Sequence, residues 1–94
     1  MEVNITCTFR GGRGMAYAEI SHGGNKIGSH TFNQSDTWDM DLPNGVYIII
    51  VNGVSPVNGT EVVIDHETSP PTPDSFPQGP FRRNYIMVLL PDEI

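Results

Sequence analysis

The sequence predicts an all-β domain, a seven-stranded and mostly antiparallel β-sandwich with no substantial helix. Three observations lead to this fold class. Nine Ile and eight Val stand against three Leu and two Ala, and β-branched side chains pack well on a pleated sheet. A single lysine, Lys26, leaves no charged face for surface helices. Ten Gly and eight Pro punctuate the chain with turns.

Length and charge bound what such a domain can do. Residues 1–94 are expected to form one domain, and a chain this short buries roughly 60–65 % of its unfolded surface. A complete core therefore leaves little room for a deep active site. Eleven acidic and five basic residues give a net charge of −6, whereas phosphate binding needs a basic stripe. We therefore expect no nucleic-acid partner.

The cysteine content and the apolar runs restrict chemistry and compartment. Cys7 is the only cysteine, which excludes an internal disulfide and a cysteine-based zinc site. The alternation around it predicts a buried, inert thiol. The longest apolar run, residues 46–51, is far shorter than the ~20 residues of a membrane span. No signal-peptide pattern is present, so we expect either a cytoplasmic protein or a mature extracytoplasmic form.

The first third of the chain predicts three strands. Residues 2–10 alternate between apolar and polar side chains, which is typical of a half-buried strand. Residues 15–22 form the second strand, and the Gly-Gly-Asn turn at 23–25 predicts a hairpin. The third strand, residues 26–32, is weak, and Gly28 within it indicates a bulge or an edge position.

The centre of the predicted fold is the stretch 38–53, WDMDLPNGVYIIIVNG. A fourth strand at 37–42 leads into Pro-Asn-Gly at 43–45, a strong turn signal that predicts a hairpin of fixed register. The fifth strand, residues 46–51, is apolar on both faces, so something is expected to cover each face. Asn-Gly at 52–53 predicts the next turn.

The last third adds two strands around a proline-rich segment. Residues 60–65 form the sixth strand and residues 84–90 the seventh, which is again apolar on both faces. Between them, residues 67–81 carry five prolines, which exclude a helix or a central strand. We expect an extended loop that crosses over the sandwich or is mobile.

The fifth and seventh strands are expected to be central in their sheets, because each is apolar on both faces. The predicted inward-facing residues are Val3, Ile5, Cys7, Phe9, Ala16, Ala18, Ile20, Trp38, Met40, Leu42, Val46, Ile48, Ile50, Val62, Ile64, Ile86, Val88 and Leu90.

Two sets of side chains could carry metal chemistry. The histidines His22, His30 and His66 share no ligand spacing, and a zinc site would need all three to converge. The aspartates Asp36, Asp39 and Asp41 could bind calcium at the end of a sandwich, but a solvated strand face explains them equally well. We expect no metal, no cofactor and no catalytic residue.

The proline segment ends in a motif with a separate interpretation. Pro77, Pro80 and Arg82 match a PxxPxR ligand for a module that reads polyproline II helices. A structural crossover explains the same prolines without a partner. Both alternatives stay open from the sequence.

The stretch 41–53 resembles a hairpin found in small immunoglobulin-like and transthyretin-like (prealbumin-like) sandwich modules, especially accessory domains of Bacteroidetes-type secreted proteins. The matching positions are Leu42, Pro43, Gly45 and Tyr47. The resemblance implies an extracytoplasmic accessory, adhesive or carbohydrate-associated role in a bacterial protein. It brings no catalytic residues.

Three functions are compatible with these observations. The first is a non-enzymatic binding or structural module that contacts protein or glycan through loops or an exposed sheet face. The second is a homo-oligomeric assembly subunit that uses an uncovered apolar strand face, with Tyr47, Ile49 and Val51 as the predicted contacts. The third is a small metal-dependent hydrolase built on the histidines and acidic residues.

Overall fold

The computed structural model describes residues 1–90 and shows two antiparallel sheets packed as a sandwich, with no helix in that range. The all-β sandwich is therefore confirmed, with nine strands instead of seven. The strands are β1 (Glu2–Phe9), β2 (Met15–His22), β3 (Asn25–Phe32), β4 (Asp36–Asp41), β5 (Gly45–Ser55), β6 (Thr60–Ile64), β7 (Thr68–Ser69), β8 (Asp74–Phe76) and β9 (Gly79–Leu89). Across residues 1–90 no helix is long and apolar enough to cross a membrane.

The two sheets differ in size and in strand order. The four-stranded sheet has the order β4-β1-β6-β8, and the five-stranded sheet has the order β3-β2-β5-β9-β7. β5 lies at the centre of the larger sheet, and β9 lies between β5 and β7. The expected central placement is thus confirmed for β5, whereas, among residues 1–90, β9 has a neighbour on its outer side only at Ile86 and Met87, where β7 pairs with it.

The β2–β3 hairpin forms as the turn residues predict. His22 pairs with Asn25, and the two glycines between them have φ of 58° and 82°, as a two-residue hairpin loop requires. The register shifts between Ile20 and Ser21, and β3 is the edge of its sheet. A Cβ on Gly28 would lie 3.3 Å from the Trp38 indole, so this glycine makes room for the tryptophan.

The predicted hairpin between the fourth and fifth strands is wrong, because β4 and β5 belong to different sheets. The chain crosses from one layer of the sandwich to the other at residues 43–45. The Tyr47 hydroxyl donates a hydrogen bond to the Pro43 carbonyl at 2.6 Å and ties the start of β5 to this corner. Turn chemistry is local, so it marks the bend without deciding whether the flanking strands pair.

The proline-rich segment supplies the two strands that the sequence did not predict. β7 pairs with β9 at the edge of the five-stranded sheet, and β8 pairs with β6 at the edge of the other sheet. The segment therefore passes from one layer to the other. β9 begins at Gly79, five residues before the predicted start of the last strand.

The core between the sheets confirms the inward faces predicted for β1, β2 and β6. Phe32 and Phe76 are also buried there, although the sequence did not assign them to the core. Trp38 and Met40 are only partly buried against it. The confirmed residues are Val3, Ile5, Cys7, Phe9, Ala16, Ala18, Ile20, Leu42, Val62 and Ile64.

The faces predicted for β5 and β9 are wrong. The buried residues are Tyr47, Ile49, Val51, Tyr85, Met87 and Leu89. The predicted inward residues Val46, Ile48, Ile50, Ile86, Val88 and Leu90 lie on the opposite, outer face. Alternation cannot choose between two apolar faces, whereas the tyrosines are fixed by specific partners. Tyr47 bonds to Pro43, and the Tyr85 hydroxyl donates to the Asp74 carboxylate at 2.9 Å.

Candidate functional site: the outer face of the five-stranded sheet

The outer face of the five-stranded sheet carries a contiguous aliphatic surface, here named the β5–β9 patch. Its members are Val46, Ile48, Ile50, Ile86, Val88 and Leu90. The strand register sets Val46 opposite Val88 and Ile48 opposite Ile86, so these four side chains are direct cross-strand neighbours. Their exposure runs from 45 % at Ile48 to 54 % at Val46.

The outer face of the four-stranded sheet has the opposite character. Thr6 and Thr37 join their hydroxyls there at 2.9 Å, and Asn4 lies opposite Asp39. A polar outer face is the ordinary condition of an antiparallel sheet with one side in water. An extended apolar outer face marks an interaction site.

Two shallow grooves run along the sides of the patch. One groove, of about 480 Å³, lies between the patch and the turn at Gly23 and Gly24. The other, of about 350 Å³, lies between the patch and residues 67–69. The aliphatic side chains therefore form a ridge between two grooves. Side chains of another surface can fit into these grooves.

The charged groups beside the patch lie on opposite sides of it. Lys26 on β3 is paired with Ser21, whose side chain lines the first groove. Glu67 lines the second groove, just before β7. Both side chains are exposed, and within residues 1–90 neither takes part in an ion pair or a side-chain hydrogen bond. The patch between them carries no charge.

The surface predicted from the sequence to be uncovered is the buried one. Tyr47, Ile49 and Val51 lie in the core, and their neighbours one position away form the patch. The apolar character of both faces of β5 indicates that one face is open, but it does not indicate which one. A two-layer sandwich has no third layer, so a strand that is apolar on both faces must leave one of them open.

The polyproline motif does not form a free ligand. Pro80 and Arg82 belong to β9 and pair with Val54 and Asn52 of β5, while Pro77 lies in the connection between β8 and β9. All three side chains are exposed. The backbone from Gly79 onward is engaged in the sheet, whereas a polyproline II ligand needs a separate extended segment.

The three histidines have separate local partners. The His22 Nδ1 donates to the Val46 carbonyl at 3.0 Å, and the His66 Nε2 donates to the Glu2 carbonyl at 2.6 Å. His30 packs between the rings of Phe32 and Trp38, with ring centroids 4.7 and 5.7 Å away. Within residues 1–90, no group of three His, Cys, Asp or Glu side chains is placed to hold a metal.

The three aspartates do not form a common cluster of ligands. Asp36 lies 3.8 Å from the His30 Nε2 and accepts a hydrogen bond from the Thr37 amide. Asp39 and Asp41 are exposed at the outer edge strand β4. Their surroundings are those of a solvated strand face.

Cys7 is the only cysteine, and its thiol is fully buried in the core. Burial raises the pKa of Cys7 from its ordinary value of 9.0 to about 12, because the thiolate would lose its hydration. Burial also raises the pKa of Tyr85, and the hydrogen bond to Asp74 adds to that rise. Both groups therefore stay neutral in the folded protein at neutral pH.

These pKa shifts predict a loss of stability in alkaline solution. The Cys7 thiol of the unfolded chain ionises near pH 9.0, whereas the folded thiol resists ionisation up to about pH 12. The contribution of the buried thiol to the free energy of unfolding is therefore complete below pH 9. It is lost as the pH rises toward 12, by at most ~1.4 kcal/mol per pH unit. Urea unfolding in steps above pH 8 measures this slope. Cys7→Ala is expected to lower the starting stability and to flatten the slope, and an unchanged slope contradicts the assignment.

Comparison with family models, with curated proteins and with solved structures returned no match to this chain.

Proposed function

We propose that the protein is a non-enzymatic interaction module that binds another protein through the β5–β9 patch. The observation that carries this proposal is the aliphatic outer face of the five-stranded sheet, in a domain whose other outer face is polar. Protein interfaces have an apolar centre and a polar rim. The patch, with Lys26 and Glu67 beside it, has the same arrangement.

The chemistry of the patch favours a protein partner over a glycan. Sugars present hydroxyl groups, and a hydroxyl that loses water without gaining a partner costs about 1–3 kcal/mol. Aliphatic side chains such as Ile48 and Val88 offer no hydrogen bond. A protein surface can bring apolar side chains of its own, so it gains from the same contact.

The same proposal includes an immunoglobulin-like type of sandwich. The order β9-β5-β2-β3 corresponds to the G-F-C-C′ order of the variable-type sheet, and β1 beside β4 corresponds to strands B and E. β6 occupies the place beside β1 where strand A would lie. The Tyr47 hydroxyl bonds to the backbone four residues upstream, as in the tyrosine corner of strand F. The role would then be accessory or adhesive, as the resemblance of residues 41–53 implies.

A peptide-display selection tests the proposal. The chain is immobilised at low density, so that copies do not meet, and peptides are selected on it. We expect apolar-rich peptides whose binding falls at least about tenfold in Ile48→Lys, because the lysine charge would be desolvated in the complex.

Val57→Lys is the matched control. Val57 is 70 % exposed and lies outside the patch, so the same charge there is expected to leave binding unchanged. Circular dichroism confirms that both variants keep the fold. Selected peptides that bind Ile48→Lys as well as the wild type would contradict the proposal.

A further inference from the structure

We infer that the partner of the β5–β9 patch is a second copy of this chain, packed face to face about a two-fold axis that runs along the strands. The inference rests on the proposed function of the patch and adds the partner and its orientation. Three observations carry it: the positions of Lys26 and Glu67, the area of the face, and the positions of Arg82 and Glu19 on the same sheet.

The strand register fixes where the two charges lie. Lys26 pairs with Ser21, which pairs with Ile48 of β5, so the lysine is level with the middle of the patch on one side. On the other side, Ser69 pairs with Ile86, and Glu67 precedes Ser69 by two residues. The positive and the negative group thus flank the same apolar rows from opposite edges of one sheet.

This placement distinguishes two ways of stacking two copies. A two-fold axis along the strands exchanges the left and right edges, so Lys26 of each copy meets Glu67 of the other. An axis across the strands would set lysine against lysine and glutamate against glutamate. Like charges facing each other across an interface disfavour that arrangement. The charge layout therefore selects the axis along the strands.

The size of the face is at the lower limit for a specific pair. The patch spans four rows of alternate residues, from Leu90 to the row of Ile50 and Asn84. With strands about 4.8 Å apart and about 3.4 Å per residue, five strands and four rows cover at most roughly 24 × 20 Å, since β7 contributes only two residues. Two such faces would remove at most about 1,000 Å² from water, which is the lower bound for a biological interface.

Two further charges on the same face agree with this axis. β9 carries Arg82 in the row of Asn52 and Tyr17, and β2 carries Glu19, which accepts a hydrogen bond from the Tyr17 hydroxyl at 3.2 Å. An axis along the strands over β5, the central strand of the sheet, sets β9 of each copy against β2 of the other and brings Arg82 near Glu19. An axis across the strands would move these two opposite charges apart.

Sedimentation velocity from low micromolar to near-millimolar concentration tests the inference. The wild type is expected to form a dimer, and Ile48→Lys is expected to remain a monomer. Lys26→Glu and Glu67→Lys each place like charges together twice per dimer, so each is expected to weaken association about tenfold. The double variant Lys26→Glu/Glu67→Lys restores both pairs and is expected to recover most of the affinity.

Two controls match the change in net charge. Asp39→Lys changes the charge as Glu67→Lys does, and Arg13→Glu changes it as Lys26→Glu does, and neither position is on the face. A monomeric wild type overturns the inference, and a double variant without recovery overturns the axis. If the wild type is monomeric while Ile48→Lys still loses the selected peptides, the patch serves a different protein. If those peptides also bind Ile48→Lys, the proposed function fails as well.

Discussion

Replacing Ile49 with lysine is expected to prevent folding, whereas the same replacement at the adjacent Ile48 is expected to leave the fold intact. Ile49 is fully buried between the sheets, so its lysine would place an unpaired charge in the core. Such a group costs about 4 kcal/mol or more, a large part of the total stability of a small domain. Ile48 is 45 % exposed, and a lysine there reaches water at a cost within about 1 kcal/mol.

Denaturant unfolding followed by circular dichroism and by Trp38 fluorescence measures the difference. Met87→Lys and Ile86→Lys are a second matched pair on β9, since Met87 is buried and Ile86 is exposed. The same contrast is expected there. A folded Ile49→Lys together with an unfolded Ile48→Lys would mean that the two faces of β5 are reversed.

Replacing Gly53 with alanine is expected to cost about 3 kcal/mol or more. The added Cβ would overlap the carbonyl oxygen of Met15 and would lie 2.7 Å from the Cα of Ala16. Both are backbone atoms of β2, which is held along its length by pairing with β5. The clash can be relieved only by separating these two strands, whereas a flexible side chain could simply rotate away.

Gly12→Ala provides the control for this effect. The nearest atom to a Cβ on Gly12 is the Pro56 Cβ at 3.4 Å, which is an ordinary contact. We expect a change within about 0.5 kcal/mol, or a slight gain from the stiffer unfolded chain. The urea midpoints of the two variants, compared at equal m-value, give the result. A Gly53→Ala midpoint equal to that of the control would show that the β2–β5 spacing adapts without cost.

The strands whose faces could be predicted each have one polar side. β1 alternates Val3, Ile5 and Cys7 with Asn4 and Thr6, so the period of two also has a defined phase. The same holds for β2. In β5 and β9 the alternation does not show which face is buried, because isoleucine, valine and leucine lie on both faces. The choice of face depends on long-range partners, such as Asp74 for Tyr85, which a local pattern does not contain.

Turn signals were informative about bends and uninformative about pairing. The glycines at 23 and 24 form a hairpin, but the residues at 43–45 form a crossing between sheets, because sheet membership is decided by distant strands. Asn52 and Gly53 lie inside β5, where the glycine allows close approach of β2 instead of a turn. β7 and β8 are two and three residues long, too short for any periodicity.

The sequence predicted that an apolar strand face would be uncovered, but it did not predict which residues form that face. A strand apolar on both faces indicated an uncovered surface, and the structure has one on β5 and β9. The contribution of Ile86 and Val88 to the same surface depends on their register with Ile48 and Val46. That register follows from the long pairing of two strands separated by the proline segment, which no sequence spacing encodes.

The brevity of β7 has a consequence for how copies of the molecule can meet. β7 pairs with only two residues of β9, so among residues 1–90 no strand lies beside Gly79–Tyr85 on that side. An unpaired strand edge of this kind can pair with a strand of another molecule, and repeated pairing would extend the sheet without limit. Pro80 lacks an amide donor, and Arg82 and Arg83 place consecutive positive charges there. These residues disfavour edge-to-edge pairing of strands. Association through the outer face of the five-stranded sheet can therefore stop at a dimer.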